Sequence, residues 1–142
     1  AQSEDLIDWK VLPPVTEPGD FGYTEVPQLV RIRGWYYQIF SVQGAIHSSA
    51  WRQRVGQEPL TGIHYIRARD PLGPFPAASD QTLAADNIGS LYAGKLVQDP
   101  SGEWVMLAAR MHAPDGSFLG ELSDPMGIIV GETGTLSVSG RR

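Results

Sequence analysis

Gln28-Leu29-Val30-Arg31-Ile32-Arg33-Gly34-Trp35-Tyr36-Tyr37-Gln38-Ile39-Phe40-Ser41 is the most informative stretch of this chain. Two runs rich in β-branched and aromatic residues flank a Gly-containing turn, and that pattern predicts an antiparallel hairpin. The shape returns as Gly94-Lys95-Leu96-Val97-Gln98, a turn at Asp99-Pro100-Ser101-Gly102, then Glu103-Trp104-Val105-Met106-Leu107-Ala108. Between the hairpins, Gly62-Ile63-His64-Tyr65-Ile66-Arg67-Ala68-Arg69 predicts a third strand. Ile63, Tyr65 and Ala68 cannot all share one face of it, so it is expected to carry a bulge or to be buried on both sides. Residues 118–122 and 135–138 are shorter strand candidates. Residues 79–88 offer room for a helical turn, but Asp and Asn interrupt them and no apolar stripe persists. The chain reads as all-β.

Three segments look alike beyond the hairpins: Asp5-Leu6-Ile7-Asp8-Trp9, Asp70-Pro71-Leu72-Gly73-Pro74-Phe75 and Asp124-Pro125-Met126-Gly127-Ile128-Ile129. They suggest a repeated order of hairpin, third strand, Asp-containing turn and closing strand. Four antiparallel strands per repeat is the blade of a β-propeller; a β-sandwich with coincidentally similar turns is the competing reading. The expected fold is a partial β-propeller of about two complete four-stranded blades plus part of another, completed by self-association or by a partner chain. Blades take roughly 40–50 residues and a closed ring needs about four or more, which 142 residues do not supply. Residues 1–130 are expected to form the propeller portion and 131–142 a C-terminal extension.

Composition narrows the function. A net charge of −5 gives no electrostatic footprint for nucleic acid or an anionic membrane, and no apolar run is long enough to span a bilayer. The absence of Cys removes disulfides, thiolate metal sites and thiol nucleophiles. His47, His64 and His112 lack metal-ligand spacing, and no nucleotide or dinucleotide fingerprint occurs, so neither metal nor cofactor is expected. A soluble protein is expected, with cytoplasmic and secreted bacterial locations both open.

The motifs resemble glycoside hydrolase family 32, the five-bladed furanosidases that include invertases and levansucrases, and its arabinanase-like relatives. Ser3-Glu4-Asp5-Leu6-Ile7-Asp8-Trp9 is similar to that family's Ser-x-Asp-Leu-x-x-Trp turn, and Glu25-Val26-Pro27 to its Glu-Cys-Pro motif, with Val in place of Cys. Tyr92-Ala93-Gly94-Lys95-Leu96 and Gly102-Glu103-Trp104 resemble its fourth blade. The likeness spans roughly residues 1–130. It implies that Glu25 is the general acid/base. The family's nucleophilic Asp motif has no match in this chain. Arg69-Asp70-Pro71 has the letters of its transition-state motif but follows Glu25 instead of preceding it, and reads as a turn in which Asp70 accepts backbone N–H groups.

Retaining glycoside hydrolysis needs two carboxyl groups about 5–5.5 Å apart, one ionised to attack and one protonated to release the alcohol. Glu25, beside apolar Val26 and Leu29, is placed by sequence where burial would favour the protonated form. Asp20 is close enough in sequence to line the same mouth. Trp35, Trp51 and Tyr92 are candidate platforms for the C–H face of a sugar. Pleat alternation sends Trp35 and Tyr37 to one side and Tyr36 to the other, one of those sides being blade-to-blade core. Trp51 lies in the irregular insert 42–61, where functional loops tend to occur. The expected function is a truncated glycoside-hydrolase-like propeller protein that binds carbohydrate, self-associates and does not catalyse alone. The alternative is a portion of an active retaining furanosidase completed by a missing N-terminal part.

Overall fold

A computed structural model of the chain describes residues 1–16, 19–76 and 82–139. Among them, nine strands form two sheets. The first sheet holds β1 (Glu25–Ile32), β2 (Trp35–Val42), β3 (Thr61–Ala68) and β4 (Thr82–Asp86) in that order, every neighbour antiparallel. The second holds β5 (Leu91–Gln98), β6 (Trp104–His112), β7 (Phe118–Leu122), β8 (Met126–Val130) and β9 (Leu136–Val138), ordered β5-β6-β8-β9 with β7 also on β6. Each sheet is thus a meander whose spatial order follows the chain, as a propeller blade requires. The chain is all-β, a partial propeller.

The second sheet departs from the expected order. β6 pairs with β8 through Val105 and Met106, and with β7 through Ala109 and Arg110. At the break, the Ser123 N–H donates to the Ala108 carbonyl at 2.8 Å, and the Ala108 N–H donates to the Ser123 hydroxyl at 3.0 Å. The hydroxyl takes a ladder bond just before Pro125, which has no N–H to give. β7 and β8 are therefore one interrupted third strand. Asp124-Pro125 lies inside it, whereas Asp70-Pro71 follows β3 as a turn. The three Asp segments are consequently not equivalent positions of one repeat.

Two other expectations change. Residues 82–86 of the suggested helical turn form β4, while 79–81 lie outside the described residues. The insert 42–61 is not irregular: it holds a 3-10 turn (Gly44–Ile46) and helix α1 (Ser49–Val55). The Ser48 hydroxyl caps α1 by accepting the Trp51 N–H at 3.0 Å, and Gly56 ends it with φ 67°. The short strand expected at 135–138 is present as β9, which pairs with β8, and Leu136 is buried.

The sheets pack face to face. Ile32, Tyr37, Ile39, Ile63 and Tyr65 of the first meet Leu96, Met106, Ala108 and Leu136 of the second. The other face of the first sheet, with Phe40, Val42, Ile66 and Ala68, is covered by Val15, Phe21, Ile46 and Phe75. β3 is therefore buried on both sides, one of the two outcomes that its apolar spacing allowed. It also carries a register shift between Ile63 and His64.

Polar ties fix how one sheet sits on the next. The Gln28 side chain acts as a strand partner for Leu96, donating Nε2–H to its carbonyl at 2.9 Å and accepting its N–H at 2.8 Å. The Ala93 N–H donates to the Ser41 hydroxyl at 2.9 Å, and the Tyr37 hydroxyl donates to the Gly134 carbonyl at 2.8 Å. Gln28→Ala is expected to cost about 1–3 kcal/mol, because it strands two backbone groups at once. A urea titration of the variant against the parent measures that loss.

The N-terminal segment folds on itself. Gln2 and Lys10 exchange two backbone hydrogen bonds of 2.8 Å, and the Asp5 carboxylate accepts the N–H groups of Ile7 and Asp8 at 2.9 Å each. Those donors, led by Asp8, hold the Asp5 carboxyl below its usual range. The segment is held to the residues that follow β3, where the Phe75 N–H donates to the Val15 carbonyl at 3.0 Å, and Phe75 packs on the face of the first sheet.

Candidate functional site

β1 and β5 are the leading strands of their sheets, and both begin with the same irregularity. The register slips between Glu25 and Gln28 in one and between Tyr92 and Lys95 in the other. Inside each slip, a non-glycine residue has a left-handed backbone: Val26 at φ 45° and Ala93 at φ 53°. Such a conformation costs on the order of 1–2 kcal/mol per residue, so local bonds must hold it. Lys95 Nζ donates to the Val26 and Pro27 carbonyls, and the Ser41 hydroxyl holds the Ala93 amide.

The side chains that open the two slips, Glu25 and Tyr92, meet each other. The Tyr92 hydroxyl donates to Glu25 Oε2 in a short hydrogen bond. Burial, followed by that bond and by the charge of Glu25, pushes the Tyr92 phenol above its usual range, with Tyr23 adding a smaller push. The phenol is therefore a proton donor toward the carboxylate at ordinary pH. The apolar neighbours do not close over Glu25, since Val26 and Leu29 are 44% and 51% exposed.

The other sequence candidates distribute as follows. The Asp20 carboxylate is gripped by Arg54 of α1 at 2.8 Å. It lines a cavity of about 190 Å³ with Phe21, Tyr23, Thr24, Gln38 and Phe75, and the Gln38 Oε1 is buried there without a partner. Trp51 is 8% exposed and packs its ring on His47 at 4.4 Å, so it is a packing residue rather than an open platform. Trp35 pairs with Ile32, at the opposite end of β1 from Glu25. Its indole lies under the Arg69 guanidinium at 3.6 Å. The structure thus brings Glu25 and Tyr92 together, leaves Asp20 paired with Arg54, and brings neither tryptophan to them.

Sequence reasoning missed the arrangement of His47 and His64. Their rings lie 5.4 Å apart under Phe21 and Phe40, and they are 4% and 5% exposed. Burial lowers the affinity of both for a proton, that of His64 to about 4. His47 Nδ1 faces the Gln43 and Gly44 carbonyls at 3.2 Å, and its Nε2 is buried without a partner. Among the described residues, no three His, Asp or Glu side chains converge as a metal-binding group. No helix among them is long and apolar enough to cross a membrane.

No protein-family model matches the sequence, and no curated protein does. Solved structures do match. A thermostable family-43 glycoside hydrolase aligns with 98% of this chain and 45% of its own at a TM-score of 0.65 and 21% identity. An exo-1,5-α-L-arabinanase from a bovine ruminal metagenomic library aligns with 82% of this chain and 39% of its own, at 0.58 and 17%. A Bacteroides ovatus xyloglucan-locus protein, GH43B, aligns with 87% and 24%, at 0.58 and 17%. The chain spans less than half the length of each of these. It therefore has the fold of part of the five-bladed propeller seen in family-43 glycoside hydrolases.

Proposed function

We propose that this chain is a glycoside-hydrolase-like propeller protein whose mouth at Glu25 binds furanosides and does not cleave them unaided. The observation that carries the reading is the Tyr92–Glu25 hydrogen bond between the starts of two adjacent leading strands. A carboxylate and a phenol presented side by side suit the hydroxyl-rich edge of a sugar. They do not supply the two carboxyl groups that retaining cleavage requires. The position of the second blade equivalent to Glu25 holds a phenol, so these two blades bring one carboxyl to the axis. The family-43 likeness supports carbohydrate as the ligand class, and the Glu-Val-Pro motif supports the furanosidase line.

A second reading is favoured by the length of those neighbours: the chain is a portion of an active retaining furanosidase with Glu25 as its general acid/base. Titration calorimetry with short fructan and arabinan oligosaccharides, alongside a product assay, separates the two. The first reading expects binding without product, and a loss of affinity of about tenfold or more in Glu25→Gln, the size of a lost charged hydrogen bond. Sugar release by the purified chain would overturn it. An absence of any binding would remove the carbohydrate assignment.

A further inference from the structure

Two residues drop out of register in each slip: Val26 and Pro27 in β1, Ala93 and Gly94 in β5. Main-chain groups of both slips are held from across the blade interface. Lys95, the first residue after the β5 slip, reaches the carbonyls of Val26 and Pro27 in β1. Ser41, the register partner of Glu25 on β2, is fully buried and accepts the Ala93 N–H of β5 at 2.9 Å. Each slip is thus propped by a side chain of the other blade. Gln28, the first residue after the β1 slip, completes the exchange by bonding both main-chain groups of Leu96. A left-handed backbone is rare for a β-branched residue such as Val26 and uncommon for Ala93; it persists where the surroundings over-determine it.

We propose that Lys95 and Ser41 are positioning residues: Lys95 holds the bulge that aims Glu25, and Ser41 holds the bulge that aims Tyr92. The proposal rests on the reading of Glu25 and Tyr92 as a sugar-binding pair. Neither prop belongs to the blade whose bulge it supports, so the pair acquires its geometry only when the two sheets dock. The crossing also makes the props one unit. Releasing either bulge breaks the Tyr92–Glu25 hydrogen bond, and releasing the second then removes little more.

NMR of the chain labelled with ¹³C at the tyrosine ring tests this without any sugar. The Tyr92 signal is assigned by its loss in Tyr92→Phe. In the parent, burial and the Glu25 bond keep the Tyr92 phenol protonated at about pH 11, where an ordinary tyrosine is mostly ionised. In Lys95→Met and in Ser41→Ala the ionised share of Tyr92 should rise about tenfold, the size of a lost charged hydrogen bond. Loss of the lysine charge alone acts in the opposite sense, because removing a cation disfavours a phenolate. If alkali unfolds a variant, the Tyr92 carbon shift at neutral pH, which reports the bond to the carboxylate, is read in its place. Affinity for short arabinan or fructan oligosaccharides should fall about tenfold in each variant, and little further in the double variant. Lys95→Arg, which keeps donors for both carbonyls, should restore both readouts. Lys10→Met removes the same charge from the N-terminal segment and should leave both as in the parent. Variants that lower only the urea midpoint, with Tyr92 and affinity unchanged, would make the two side chains ordinary packing ties and overturn the proposal. Losses that simply add in the double variant would overturn the crossed unit. If Tyr92 responds as expected but no form binds sugar, the furanoside reading fails and the positioning roles stand.

Discussion

Ile63→Ala is expected to lower the stability of the chain by about 2–5 kcal/mol, the range for emptying a fully buried aliphatic site. Ile63 is 0% exposed and belongs to the core between the sheets. The loss joins the transfer free energy of the missing methyl groups to a cavity, and the cavity cannot collapse easily. Gly94, on the facing strand, is held in place by the bulge that begins β5. A Cβ added there would come within 2.6 Å of the Ile63 side chain, so the two residues share one space. Gly94→Ala alone is expected to destabilise by overpacking. In the double variant the new methyl enters the vacated volume, and the combined loss should be smaller than the sum of the single losses. Strict additivity in urea titrations would show that the sheets do not meet at these residues.

Acid is expected to weaken the fold as the pH falls from about 6.5 toward 4. His64 has an ordinary proton affinity near 6.5 when the chain is unfolded and about 4 in the folded protein. Burial is the main cause, and His47 beside it is the second, while the Leu60 carbonyl pulls the other way. Between these values the unfolded chain binds more protons than the folded one. Stability is then constant above about pH 6.5 and falls as the pH drops toward 4, by about 3 kcal/mol in total. His47 shifts in the same direction for the same principal reason and adds to the slope. The exposed aspartates act in a different window, because Asp99 and Asp115 are held below 3.8 by serine and backbone donors. His64→Phe keeps a ring against Phe40 and removes the titrating group. Its denaturation midpoint should change much less between pH 6.5 and 4.5; a slope equal to that of the parent would assign the effect elsewhere.

The blades were readable because their signals are local. Alternating strand residues and Gly-bearing turns at 28–41 and 94–108 marked both inner hairpins, and the burial of β3 on both sides followed from Ile63, Tyr65 and Ala68 failing to share a face. Helix α1 was overlooked although its signature was present: Ser48 before it and Gly56 after it are ordinary cap residues, but seven helical residues are too few for a periodic stripe. The broken third strand was hidden for a different reason. Asp-Pro is a strong turn signal, and only the Ser123 hydroxyl, standing in for a ladder group, shows that the strand resumes after it. The meeting of Glu25 with Tyr92, 67 residues apart, depends on two bulges in separate sheets. His47 and His64 met for the same kind of reason: one lies in the insert and the other on β3, and only folding brings their rings edge to face.

The twin bulges have a meaning beyond the pair of side chains they present. In each blade the aim of the residue just before the slip, Glu25 or Tyr92, is set by main-chain geometry, the left-handed Val26 or Ala93 and the register slip around it, and not by that residue's own chemistry. One blade fills the position with an acid and the next with a phenol, over the same backbone. Each blade thus behaves as a socket of fixed orientation into which the reactive group is an interchangeable insert. A ring built of such sockets can trade one chemistry for another by a single codon change, while the scaffold that aims the group stays as it was.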